Sequence, residues 1–172
     1  VCDGASIIID SGTTTLCLTE ALIPRKALTI FTNDLNVAGK LAGRNDNQVH
    51  VLGGELIGSE WATAGRDTTS MLQNYFVDFS FIGASALDAA TLLTDYSREI
   101  AELRGQMVMQ ARVSILLADS SKFAKCAPVK VNHLDQLNYV VCDKKPNAAL
   151  VESITNLKAE LIIANSVVKQ LS

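Results

Sequence analysis

Short apolar runs alternate with segments of helical spacing along the whole chain, and this constrains the fold more than any other feature. Strand-like runs are read at Ser6–Ile9, Leu28–Phe31, Val49–Leu52, Phe79–Ile82, Val113–Ala118, Tyr139–Cys142 and Glu160–Ala164, with a short extra run at Val129–Val131. Helical patterns are read at Thr14–Leu22, Asn36–Leu41, Arg66–Tyr75, Ser97–Ala111 and Asn147–Leu157. The fourth of these is well signalled, since Ile100, Leu103, Met107 and Ala111 fall on one face. Residues 55–65 have no clear period and read as a hairpin or loop, and residues 84–97 are ambiguous. Strand-helix alternation predicts an α/β layer fold: a mainly parallel open sheet flanked by helices, with a small loop or hairpin lobe.

At 172 residues, the chain is long enough for one domain with a sizeable core. Hydrophobic residues make up 48% and charged residues 19%, a globular balance. The 15 Lys+Arg against 18 Asp+Glu leave a net charge of −3 without a basic stripe, so this piece is a poor match for a phosphate backbone. No run approaches 18 uninterrupted apolar residues, and no membrane span is expected. Val1-Cys2-Asp3-Gly4 starts without Met close to a core strand, and reads as the cut edge of a longer protein. Cys2, Cys17, Cys126 and Cys142 show no CxxC spacing and read as reduced thiols of a cytoplasmic protein. No metal-ligand spacing occurs, and no cofactor is expected.

The strand ends share a chemistry. Asp10-Ser11-Gly12-Thr13 succeeds the first strand, Thr32-Asn33-Asp34 the second and Gly53-Gly54-Glu55 the third. Gly83-Ala84-Ser85 succeeds the fourth, and Asp119-Ser120-Ser121-Lys122 the fifth. Each is ordinary turn chemistry alone. In a parallel sheet, however, these carboxyl ends share one edge, where ligands bind. Gly12 permits a tight turn, and the amides after it open a helix, a setting that favours an anion. Thr13, Thr14 and Thr15 add hydroxyl donors, a fit for phosphate. Ser11 and Asp10 read either as helix caps or as ligand contacts, with Asp10 fixing the loop or accepting from sugar hydroxyls rather than touching phosphate. The loop is neither a Walker A nor a GxGxxG loop, which points to a small phosphorylated metabolite rather than a nucleotide. Lys122 is the natural cation for the site. Arg104 reads as a solvated helix charge or a ligand contact. His50 and His133 read as structural or surface residues, and Trp61 either covers the pocket or packs elsewhere.

The segments IIIDSGTTT (7–15), LTIFTNDLNVA (28–38), VHVLGGEL (49–56), FIGASAL (81–87), REIAELRGQM (98–107) and ILLADSSKF (115–123) together resemble the C-terminal effector-sensing domain of DeoR-family bacterial transcriptional regulators. The resemblance runs nearly end to end. It implies a fold like that of ribose-phosphate isomerases and CoA-transferases, and a phosphorylated sugar or polyol as effector. It implies an N-terminal winged helix-turn-helix, absent from this chain, that binds operator DNA, and a single sensor domain over 1–172. Pocket positions carry over to Asp10, Ser11, Gly12, Thr13, Thr14, Asn33, Gly53, Gly54, Ser85 and Lys122, with Thr15, Glu99 and Arg104 as further candidates. Two departures fall where sugar identity is set. Ile100, with Glu99 beside it, stands where members often carry glutamate, and Gly83-Ala84-Ser85-Ala86-Leu87-Asp88 replaces a Gly-Thr-Asp-Gly type of turn.

The expected function is therefore a repressor's sensor domain, not an enzyme, in which effector binding orders the loops around 54–65 and 84–97 and shifts a homodimer or homotetramer. The rival is a phosphosugar isomerase of the related fold, with Glu99 or Asp119 as base; a bare oligomerisation module is a third reading.

Overall fold

The computed structural model describes residues 1–57 and 61–164. In chain order the strands and helices are β1 (Ser6–Ile9), α1 (Thr13–Leu22), β2 (Thr29–Thr32), α2 (Leu35–Leu41), β3 (Gln48–Val51), β4 (Glu55–Ile57), β5 (Ala62–Ala64) and α3 (Arg66–Leu72). The chain continues through β6 (Val77–Ile82), β7 (Ala86–Asp88), β8 (Leu92–Asp95), α4 (Arg98–Met109), β9 (Ala111–Ala118), β10 (Val129–Lys130), β11 (Tyr139–Cys142), α5 (Ala148–Asn156) and β12 (Glu160–Ile163).

Seven strands form one sheet in the order β12-β11-β9-β6-β1-β2-β3. Every pairing within it is parallel. The mainly parallel open sheet expected from the alternation is thus the observed architecture. β1 lies at its middle, and its three isoleucines are fully buried. Ile8 packs on one face with Leu72, Leu103, Met107, Leu150 and Ile154, residues of α3, α4 and α5. Ile7 and Ile9 pack on the other with Leu22, Val37 and Leu41 of α1 and α2. A strand covered on both sides reads as a continuous apolar run because neither face meets water.

Two hairpins stand apart from the main sheet. β4 and β5 pair antiparallel, so the aperiodic 55–65 stretch is a hairpin; residues 58–60 of that stretch lie outside the described residues. β7 and β8 pair antiparallel with β10 added at the edge, which resolves the ambiguity at 84–97. All four residues of β8 are buried, which removes the alternation that would have marked a strand. Ala111 opens β9 rather than closing α4, since Gln110 already caps that helix. α3 stops at Leu72, short of the Tyr75 expected, in a turn where the Tyr75 amide returns to the Leu72 carbonyl at 3.1 Å.

The chain runs outward through β1, β2 and β3, then crosses back to lay β6 on the other side of β1. The strand order reverses between β1 and β6, and loops leaving that point diverge to opposite faces and open a crevice. Among the described residues, no helix is long and apolar enough to cross a membrane.

Candidate functional site

The crevice at the carboxyl ends of β1 and β6 is a cavity of about 620 Å³, walled by the β1–α1 loop, the β6–β7 loop, the β8–α4 turn and Lys122. Such a volume suits a small metabolite.

The β1–α1 loop joins the central strand to the start of a helix through a tight turn. Asp10 still belongs to the sheet, its amide bonded to the Phe81 carbonyl at 2.9 Å. The chain then turns through Gly12 at φ +133°, a conformation that costs a side-chain-bearing residue strain. α1 begins at Thr13 with no side-chain cap and no acid in its first turn. Its leading amides therefore lack intrahelical acceptors, and the residues that carry them line the cavity. Thr13 is exposed on the wall, and the Thr14 hydroxyl donates to Asp119 Oδ2 at 3.4 Å. The buried Thr15 hydroxyl is turned back to the Gly12 carbonyl at 2.9 Å.

Lys122 ends a short 3-10 turn, Ser120–Lys122, whose N-cap Asp119 accepts from the Ser121 amide at 2.9 Å. The Ser121 side chain is the main reason that the Asp119 carboxyl is held below the ordinary carboxylate range; Lys122 and Thr14 act in the same sense. Residues from β1, α1 and the loop after β9 thus meet at one point.

A buried ionic cluster forms part of the cavity floor, with Ser85, Asp95 and Arg104 in the lining and Asp10 behind it. Asp10 is sealed from solvent; its Oδ2 accepts from Arg104 Nε at 2.7 Å and from the Gly83 amide at 2.9 Å. Its Oδ1 accepts from the Ser11 amide at 2.8 Å. Arg104 Nη1 donates to Ser85 Oγ at 2.9 Å and bonds Asp95 Oδ2. Ser85 in turn donates to Asp95 at 2.6 Å. Arg104 is therefore buried and ion-paired, not a solvated helix charge. It falls on the apolar face of α4 between Leu103 and Met107, and a charge on that stripe was the available signal.

Of the residues singled out from the sequence, Ser11, Gly12, Thr13, Thr14, Thr15, Ser85, Arg104 and Lys122 line the cavity together. Asp10 does not line it but anchors it from below. Asn33 is buried beside it, its Nδ2 donating to the Thr63 carbonyl at 3.0 Å and to Ser11 Oγ at 3.4 Å. Gly53 and Gly54 are exposed at the entry to the β4–β5 hairpin, outside the lining. Glu99 lies outside it as well, its carboxylate held low first by its own amide and then by the Ser97 hydroxyl. Trp61 is exposed and outside the lining. His50 stacks on Phe31 with ring centroids 4.8 Å apart, and His133 is exposed in a left-handed turn.

Several lining residues carry no clear signal in the sequence, namely Asp34, Asn36, Asp95, Tyr96 and Ser97, whereas Ile100, singled out as a departure from the resemblance, does line the cavity. Asp34 is nearly buried; its Oδ1 caps α2 at the amides of Asn36 (2.7 Å) and Val37 (3.3 Å). Its Oδ2 accepts only a long 3.4 Å contact from the Gly12 amide among the described residues. The strand-end sequence Thr32-Asn33-Asp34 is the one hint of Asp34. Asp95, Tyr96 and Ser97 lie in the turn whose strand has no readable period.

The chain matches the family described as the DeoR C terminal sensor domain over residues 1–144. It is 30% identical over 167 residues to a glycerol-3-phosphate regulon repressor of Haemophilus influenzae, covering 97% of this chain and 65% of that protein. It is 27% identical over 159 residues to the Escherichia coli protein of the same name, covering 92% and 63%. The chain therefore spans somewhat less than two thirds of the length of these relatives. Among solved structures, the β subunit of eIF2B from Chaetomium thermophilum aligns with a TM-score of 0.50 at 13% identity, covering 91% of this chain and 49% of that one, a likeness of fold alone.

Proposed function

The chain belongs to the family of DeoR C-terminal sensor domains, and we propose that its cavity binds a phosphorylated sugar or polyol as the effector of a transcriptional repressor. The carrying observation is the uncapped N-terminus of α1, with Thr13 and Thr14, set across one cavity from Lys122. The phosphate accepts from the leading amides of α1, where the helix dipole favours negative charge, and pairs with Lys122. The hydroxylated body lies toward the β8–α4 turn. The names of the two relatives make glycerol 3-phosphate the first ligand to try.

Binding there contacts loops from both sides of the β1–β6 switch point, so it favours the arrangement of subunits that presents the closed loops. In this reading, a homodimer or homotetramer passes the change to winged helix-turn-helix heads outside this chain, in the cytoplasm.

The isomerase alternative needs a base above a carbon acid. Glu99 is outside the cavity, and Asp119 is held below the ordinary carboxylate range by Ser121, which makes it a weak base. Both relatives are named as repressors. A thermal-shift panel of phosphosugars, phosphopolyols and their unphosphorylated parents tests the proposal. Stabilisation by a phosphate ester, absent with its parent, is expected; equal stabilisation by parent and ester would refute it.

A further inference from the structure

Three helix N-termini border the same cavity, and they differ. That of α2 is capped by Asp34 at the Asn36 and Val37 amides, and its Leu35 amide bonds the Trp61 carbonyl at 2.8 Å. That of α1 has no side-chain cap and no acid in its first turn. That of α4 is already satisfied: Ser97 Oγ accepts from the Ile100 amide at 3.3 Å, Asp95 Oδ1 accepts from the Ser97 amide at 2.9 Å, and Glu99 stands in the first turn. Only the α1 end has donors to give an anion. Beside Lys122, Asn36 and the ion-paired Arg104, the rest of the polar lining offers the carboxylates of Asp34 and Asp95 and the hydroxyls of Ser11, Ser85, Tyr96 and Ser97.

The charge balance divides the cavity in the same way. Arg104 is shared between Asp10 and Asp95, two acids for one guanidinium. Asp34 has no ion-pair partner among the described residues, and its Oδ2 holds one long contact. Like charges repel more strongly in a partly buried cavity than in open water. A ligand hydroxyl donates to these carboxylates, whereas a second anionic group is repelled by them.

Resting on the phosphate-binding reading above, we infer that the cavity selects effectors with one phosphate and an otherwise uncharged, hydroxylated body, and that Asp34 and Asp95 enforce this by rejecting a second anion. Phosphopolyols and neutral phosphosugars qualify; acid phosphates and bisphosphates do not.

The test is calorimetric titration of the 172-residue chain with two matched pairs that differ by CH2OH against carboxylate: glycerol 3-phosphate with 3-phosphoglycerate, and sorbitol 6-phosphate with 6-phosphogluconate. Inorganic phosphate is the reference. The alcohol member of at least one pair binds tenfold or more tightly than its acid, and neither acid outcompetes its alcohol. Asp34→Asn narrows that ratio to under threefold, because asparagine still caps α2 while losing the charge. Asp95→Asn, which leaves Arg104 its Asp10 partner, does the same and guards against a folding defect in the first variant. Equal or tighter binding of the acids, or ratios unmoved in both variants, overturns the inference. If the esters bind in a Lys122-dependent way without discrimination, the phosphate site stands and this inference falls. If no ester and no inorganic phosphate binds at millimolar concentration, both fall.

Discussion

Arg104 Nε donates to Asp10 Oδ2 across 2.7 Å, with the arginine side chain 7% exposed and the aspartate fully enclosed. Ninety-four positions separate them in sequence, and the bond ties the carboxyl end of β1 to the middle of α4. Because Asp95 and Ser85 join the same guanidinium, one side chain fixes three of the loops that wall the cavity. Removing it leaves buried carboxylates without compensation. Arg104→Ala is expected to cost about 3–5 kcal/mol, the range for breaking one partner out of a buried ion pair. Urea unfolding followed by circular dichroism measures it, and a loss under about 1 kcal/mol would mean that the cluster bears little of the fold.

Gly54 makes a comparable prediction at the hairpin entry. Its φ is +138°, and a β-carbon there would lie 2.1 Å from Thr68 Oγ1 and 2.7 Å from the Ala64 carbonyl oxygen. The hydroxyl cannot yield freely, since it donates to the Gly53 carbonyl at 2.5 Å. Gly54→Ala combines backbone strain with a clash against main chain and should destabilise by about 2 kcal/mol or more. A thermal midpoint unchanged from wild type would contradict that conformation.

The four thiols are free but not equivalent. Cys142 is buried in the core, and burial, followed by the neighbouring Asp143, pushes its thiol up to about 11. Cys126 is exposed, but its hydrogen bond to Asp88 also raises its pKa. Since the thiolate is the reactive species, alkylation at pH 8 should label Cys2 and Cys17 first, Cys126 more slowly, and Cys142 only after unfolding. For stability, a raised folded-state pKa contributes fully below the unfolded value near 9, and that contribution is lost as pH rises toward 11. Peptide mass mapping reads the order, and early labelling of Cys142 would refute its burial.

Ligand affinity should depend on pH through the ligand. Asp119 is held below the ordinary carboxylate range, chiefly by Ser121, so its stabilising contribution is present above the unfolded value near 4 and is lost only as pH falls through its lower folded value. Between pH 8 and 5 it stays charged, whereas a phosphate monoester gains its second proton near pH 6. Affinity should be level from pH 8 to 7 and fall about tenfold per unit below 6. Affinity flat down to pH 5 would show that the monoanion suffices.

The parallel sheet is readable because β1 is a continuous apolar run and β6 and β9 end in apolar ones, and the β1–α1 turn because glycine and threonines come after Asp10 without bulk. The parts that escape the sequence do so for physical reasons. β8 is buried on both faces and carries no alternation, so Asp95 and Tyr96 at its end have no strand to mark them. Asp34 looks like a helix cap and is one; only the tertiary fold brings its second oxygen to Gly12. The charge of Arg104 suggests solvent although it sits beside Leu103, since a buried arginine needs partners 9 and 94 residues away, which sequence spacing does not reveal.

The most direct test of the central claim is to track the backbone amides of Thr13, Thr14 and Thr15 by nitrogen-edited NMR while titrating glycerol 3-phosphate. Should that ester prove weak, the best ester of the thermal-shift panel takes its place. These three amide protons are expected to move together and saturably to lower field, as donors to phosphate do, and Lys122→Ala to weaken the titration at least tenfold. A ligand that binds while these amides stay still, or that binds Lys122→Ala as tightly as wild type, would place the effector elsewhere.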